Sequence, residues 1–234
     1  MPVIEHGALG AVVAVLQICL LDLLLGGDNA LVIAMACRGL PARLWRRVVW
    51  IGTGAAVVLR IVLTALTALI LNVPYLKLVG AVLLLAIAIS LLADKPAGRT
   101  ESERAEGQHD AWKAFTTIIV ADTVMSLDNV LAVAAAARGS FWLLSFGLAL
   151  SVPIVIFGSM AVARMLDRYP LLILAGGALL GWVAGDTALS DPALKAWVDR
   201  QSVELTTLVP LAGAAYVLVH ARLARRLKRL KSFR

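Results

Sequence analysis

The sequence predicts an all-α, polytopic membrane protein of about seven transmembrane helices, built from two inverted three-helix repeats plus one extra helix. Three observations predict it: long apolar runs, a one-sided distribution of basic residues, and a chain that matches itself when shifted by 100 residues.

Hydrophobic residues make up 61% of the 234 positions and mean hydropathy is +0.88. That leaves too little polar surface for a soluble domain of this size. About 20 apolar residues cross a bilayer core as helix, and seven stretches qualify. The first, 8–37, stops at Arg38-Gly39, and the second, 45–71, begins among Arg43, Arg46 and Arg47. The third, 75–93, lies between Pro74 and Asp94. The fourth, 111–137, stops at Arg138-Gly139, as the first stops at its own Arg-Gly. The fifth, 141–163, ends before Arg164. The sixth, 170–190, opens at Pro170, and the seventh, 205–221, ends at a basic tail. Met1 to Gly10 carries Glu5 and His6 without Lys or Arg, and the apolar stretch after it is too long for a signal-peptide core, so no cleavable leader is expected. Cys19 and Cys37 lie about 27 Å apart along an unbroken helix, beyond disulfide reach.

The net charge of +7 and pI near 9.9 invite a nucleic-acid reading, but the placement of the charge opposes it. With the N-terminus outside and seven spans threaded, 17 basic residues fall inside and four outside: Lys77, Arg138, Lys195 and Arg200. This is the positive-inside pattern of an inner (cell) membrane protein. The inside set includes the C-terminal tail, with Arg222, Arg225, Arg226, Lys228, Arg229, Lys231 and Arg234. Such a tail lies against anionic lipid, at about 1 kcal/mol per basic residue near the surface. Arg60 remains within the second span, either as a counter-ion or as a side chain snorkelling to the interface.

Shifted by 100, Asp22-x5-Asp28-Asn29 falls on Asp122-x5-Asp128-Asn129, and eight of 18 positions from 22 to 39 are identical. At an offset of 96 the match resumes: Pro74, Gly80, Leu83, Leu84 and Ala88 fall on Pro170, Gly176, Leu179, Leu180 and Ala184. The chain therefore divides into a first three-helix repeat at 1–93, a cytoplasmic linker at 94–110, a second repeat at 111–191, and the seventh helix with its tail at 192–234. The linker holds three basic and five acidic residues with Pro96, Gly98 and Gly107, and reads as flexible. An odd number of spans per unit inverts the second copy, the plan of many secondary transporters with a site at the repeat interface.

Asp22, Asp28, Asp122, Asp128 and Asp186 all lie inside spans. Each costs about 2.5–3.5 kcal/mol at a helix centre. A single such residue reads equally as a bonded structural carboxyl, but four in duplicated positions, each inner one followed by Asn, point to a cation site. Residues seven apart share a helix face, which aligns Asp22 with Asn29 and Asp122 with Asn129. Gly26-Gly27 permits a local break before Asp28, which frees carbonyl oxygens as further ligands. The second motif carries Ser126-Leu127 there, with the Ser126 hydroxyl as substitute ligand or backbone partner. Inversion sets Asp28 about 9 Å inward and Asp128 about 9 Å outward of the central pair, a ladder of carboxylates. Asp186 stands where the first unit has Ser90, and completes the site or carries protons.

Carboxylate, amide and carbonyl oxygens suit Mn²⁺, Ca²⁺ or Mg²⁺. Met125 and Met35 are near enough to offer a soft thioether favouring Mn²⁺, or are simple packing. Protons compete with a metal for the same oxygens, which makes them a coupling ion. No Walker loop, nucleophile elbow or HExxH is present, so an enzyme is not expected, nor a permanent cofactor.

At these residues the chain resembles the TerC family of integral membrane proteins, its compact YjbE-type members in particular. Asp22-Leu-Leu-Leu-Gly-Gly-Asp28-Asn29-Ala and Asp122-Thr-Val-Met-Ser-Leu-Asp128-Asn129-Val look like that family's two signature segments. The resemblance implies membership of the LysE-like transporter superfamily and export of Mn²⁺, and the family name records an association with tellurium resistance. Carried over, it marks Asp22, Asp28, Asn29, Asp122, Asp128 and Asn129 as metal-site residues, and Asp186 as a further acidic position. The alternative is a membrane assembly or metalation partner without transport of its own.

The threading makes a direct prediction. A single cysteine at position 3 should react with an impermeant thiol reagent from outside, and one at position 102 should not. The reverse pattern would overturn the orientation.

Overall fold

In the computed structural model, residues 8–70, 73–93, 104–137, 139–200 and 204–231 are described. They form helices with no strand among them: α1 (Ala8–Leu25), α2 (Asn29–Ala36), α3 (Ala42–Ala65), α4 (Thr67–Ile70), α5 (Leu76–Ala93), α6 (Arg104–Ala137), α7 (Phe141–Arg168), α8 (Leu171–Leu189), α9 (Pro192–Val198) and α10 (Leu205–Lys231). Among the described residues six of these are long and apolar enough to cross a bilayer, and α1 with α2, bent by 58° at the break, makes a seventh if the pair is one span. The protein is thus the all-helical, multi-pass membrane protein that its hydropathy predicts. Its outer surface confirms the solvent it was built for: Leu24, Leu69, Trp142 and Leu171 are each at least 70% exposed, an arrangement that only lipid rewards.

Three differences from the expected layout have physical reasons. The linker at 94–110 is shorter than its composition suggests, because α6 begins at Arg104; residues 94–103 lie outside the described residues. Gly107 is absorbed in that helix, where a glycine costs only about 1 kcal/mol. The second span ends in a separate turn, α4, after the helix breaks at Leu66. The short helix α9 precedes the seventh span, announced by the Asp191-Pro192 pair of an N-cap and first-turn proline.

Helix α6 is the hub. Its inner residues enter all three hydrophobic clusters: Ala121, Val124 and Met125 pack with Val32, Leu84, Leu180 and Val217; Ala111, Ala114 and Ile118 with Val49 and Ile156; Val133 and Ala137 with Ile18 and Leu148. It therefore brings its own aspartates against α1, α2, α3 and α7. On the far side, α8 and α10 approach backbone to backbone. A Cβ on Gly181 would lie 2.5 Å from the Gly213 carbonyl oxygen, the close small-residue packing that lipid-immersed helices use. The glycines at the two stops share a left-handed backbone as well, with φ of +86° at Gly39 and +75° at Gly139. Both glycines serve as left-handed helix ends.

One buried carboxylate organises the turn outside α5 and α8. Asp191, fully buried, accepts hydrogen bonds from the amides of Ala193 (2.8 Å), Tyr75 (2.9 Å) and Leu78 (3.1 Å). It caps α5 and α9 together, and it holds Tyr75 at φ +65°, a region costly for a non-glycine residue. Burial pushes the Asp191 carboxyl up, but the amides of Ala193, Tyr75, Leu78 and Lys77 outweigh it and hold the group below the usual carboxylate value. A lowered folded value gives stability that is present above the unfolded carboxylate pKa, about 3.9, and is lost as pH falls through the folded one. Asp191→Ala should therefore cost about 2 kcal/mol at pH 7, as a lost cap with unpaired amides does. The gap between wild-type and variant melting in detergent should close below pH 4. A gap that held constant with pH would refute the charged cap.

Candidate functional site

The first motif breaks its helix where two glycines stand. Gly26 donates to the Asp22 carbonyl at 2.9 Å, and the chain restarts as α2 at Asn29. A Cβ on Gly26 would lie 2.8 Å from both the Asn29 amide nitrogen and the Asp22 carbonyl oxygen. Glycine is thus what lets the Asn29 side chain fold back across the break. The second motif, without the glycine pair, stays in unbroken helix.

At the centre, Asp22, Arg60, Asp122, Asn29, Ser126 and Ser151 converge from α1, α3, α6, α2 and α7. The Arg60 guanidinium pairs with Asp22 through one terminal nitrogen and with Asp122 through the other. Its Nε donates to Ser126 Oγ at 2.9 Å, and Ser126 Oγ lies 3.4 Å from the second Asp122 oxygen. The Ser151 hydroxyl faces the second Asp22 oxygen, and Asn29 Nδ2 donates to Asp122 at 2.9 Å. Asp22 and Arg60 are 4% and 5% exposed. With the guanidinium charged and both carboxylates ionised, the cluster carries one net negative charge. A cavity of about 20 Å³, room for one water, opens beside it between Asn29, Thr53, Arg60, Asp122 and Ser151. Asn29 Oδ1 and Thr53 Oγ1 are buried there without a partner, as is Asp28 Oδ1.

A second cluster lies along α6. Lys77 pairs with Asp128, and Ser190 Oγ stands 3.3 and 3.4 Å from the Asp128 oxygens and 3.3 Å from Lys77 Nζ. Asp186 lies within electrostatic reach of both Asp128 and Lys77. This cluster is the more open one, with the Asp128 side chain 36% exposed. Asn129 Nδ2 donates to the Leu25 carbonyl at 3.1 Å, one of the oxygens expected from the break. Each motif's asparagine thus reaches the other motif's helix: Asn29 to Asp122, Asn129 to Leu25.

The predicted residues therefore separate into two groups. Asp22, Asn29, Asp122 and Ser126 meet on Arg60, whereas Asp128 and Asp186 gather at Lys77. Asp28 joins neither ion pair and keeps one oxygen, Oδ1, without a partner. Ser126 serves the arginine and Asp122 rather than the backbone. Met125 and Met35 belong to the hydrophobic cluster. Among the described residues no three acidic, His or Cys side chains close together as a ready-made metal cage; protein cations stand between the carboxylates instead. Sequence reading left Arg60 between two roles, and the structure makes it a counter-ion. It missed Lys77, Thr53, Ser151 and Ser190. The signal for Thr53 and Ser151 was a lone hydroxyl in an apolar stretch; Lys77 looked like one more loop charge.

Six or seven apolar spans among the described residues, around a buried carboxylate–arginine centre, define a multi-pass integral membrane protein with a charged core. The family follows from the comparison with known proteins. The model of the integral membrane protein TerC family matches residues 8–229, and the chain belongs to the TerC family. It is 39% identical over 215 residues to the membrane protein YjbE of Bacillus subtilis (strain 168), covering 92% of this chain and 95% of that one. It is 26% identical over 185 residues to YkoY of the same organism, covering 72% of this chain and 57% of that one. No solved structure matches.

Proposed function

We propose that this protein exports a divalent metal cation, Mn²⁺ by preference, across the cell membrane in exchange for protons. One observation carries the reading: two copies of an Asp-x5-Asp-Asn motif lie inside the spans and interlock, each asparagine bonding to the other motif's helix. A scaffold has no need of four aspartates within its spans, given their insertion cost. The unpartnered oxygens of Asp28, Asn29 and Thr53 support it further, since buried acceptors left unbonded are expensive unless something occupies them. These are hard oxygen donors, suited to Mn²⁺, Mg²⁺ or Ca²⁺. The choice of manganese and the outward direction rest on the TerC family resemblance. Proton exchange follows from carboxylates that hold either metal or protons. The repeat inversion adds a route, with Asp28 and Asp128 on opposite sides of the central pair.

The test uses cells stripped of their other manganese exporters and grown at toxic manganese. Expression should lower cellular manganese. Asp28→Asn and Asp128→Asn should each insert normally yet lose at least about tenfold in transport, since even the outer partners of a metal are worth that much. Uptake into inverted vesicles should collapse with the pH gradient. Full activity in both variants would favour the assembly-partner alternative; uptake indifferent to the gradient would remove the proton coupling.

A further inference from the structure

We propose that Arg60 is a tethered cation that occupies the central carboxylates when no metal is bound, and that an entering divalent cation displaces it from Asp122. This deepens the transport reading and rests on it for the identity of the displacing ion.

The arginine stands where a bridging metal would stand. It binds one oxygen of Asp22 and one of Asp122, the matched first aspartates of the two motifs, carried on separate helices. Its third contact, with Ser126, is to the residue that replaces a motif glycine in the second copy. One permanently charged side chain thus spans both copies of a duplicated element.

The cavity beside it has a polar side, made by the guanidinium, Asp122, Asn29, Thr53 and Ser151, and an apolar side of aliphatic residues from α2, α3, α6 and α7. Two oxygens in that wall, Asn29 Oδ1 and Thr53 Oγ1, have no partner, although Asn29 and Thr53 are 7% and 5% exposed. A structural arginine accounts for the two ion pairs and leaves these two acceptors to whatever fills the cavity, a water or a cation. A cation in the cavity would meet Asn29, Thr53 and Asp122 as oxygen ligands. It would also meet Arg60 as a like charge in a wall of low polarity, where Coulomb repulsion is strong. Metal and guanidinium therefore exclude one another from Asp122. Asp22, held by Ser151 and Arg60, gives the arginine a carboxylate to keep while it yields the other.

The binding linkage is reciprocal: whatever Arg60 loses on metal entry, the metal must supply. Removing the arginine charge should tighten metal binding and hinder release. The test measures Mn²⁺ binding to the purified full-length protein in detergent, by loss of the free Mn²⁺ electron paramagnetic resonance signal, beside Mn²⁺ flux in proteoliposomes. R60Q should bind Mn²⁺ at least about fivefold more tightly, the low end of ordinary coupling, and should turn over more slowly. Adding D22N to R60Q restores the net charge of the centre and should reverse the tightening. R60K should fall between, because an ammonium meets one carboxylate at a time. It decides the matter if R60Q does not accumulate. A folded R60Q, or failing that R60K, whose binding is unchanged or weaker would overturn the proposal. Wild-type flux with unchanged R60Q binding defeats the tethered cation alone. Tightened R60Q binding with no wild-type flux defeats the transport reading alone.

Discussion

The contact between Arg60 and the two aspartates, Asp22 and Asp122, constrains everything around it. A charge left alone in hydrocarbon is costly, and breaking a buried pair costs about 3–5 kcal/mol because the remaining charge stays uncompensated. Once the three side chains are fixed on α1, α3 and α6, those helices must meet at one level. The break at Gly26 and Gly27 then becomes useful: it turns α2 by 58° from α1 and brings Asn29 back onto the same carboxylate. Helix α7 closes the group by placing Ser151 on Asp22. Apolar packing holds these helices together, but charge pairing decides their register.

The two halves of the chain contribute differently to this arrangement. Both cations, Arg60 and Lys77, come from the first half, on α3 and α5. The second half supplies hydroxyls, Ser126, Ser151 and Ser190, that complete the carboxylates' hydrogen bonds. The two motifs share their acids and differ in what neutralises them. Asp28 keeps one oxygen without a hydrogen-bond partner.

The spans were legible in the sequence because a bilayer demands length and hydrophobicity, properties that composition states directly. The break before Asp28 was legible too, from two adjacent glycines. Its absence at Ser126 followed the same rule, because a serine and a leucine sustain a helix where two glycines do not. What sequence could not supply was pairing across the chain. Arg60 lies 38 residues from Asp22 and 62 from Asp122, and nothing local tells a counter-ion from a snorkelling side chain. Asp128 and Asp186 were placed in the same site as Asp22, yet Asp128 pairs with Lys77 of α5 and Ser190 beyond α8, with Asp186 of α8 in electrostatic reach of both charges. Met125 fell on the packed face of α6 with Ala121 and Val124, while Asp122 and Ser126, four apart and so on one face, turn to Arg60. Asp191 was hidden for a different reason. Its three backbone partners lie in two segments, and only the fold brings their amides together.

The central claim is that a metal and Arg60 compete for one carboxylate. The most direct measurement is anomalous diffraction at the manganese edge from crystals grown with Mn²⁺, compared with crystals grown without it. We expect an anomalous peak in the cavity between Asn29, Thr53 and Asp122, with the Arg60 guanidinium withdrawn from Asp122 and still on Asp22. Manganese elsewhere, with Arg60 bridging both aspartates as before, would contradict the competition and return the arginine to a purely structural role.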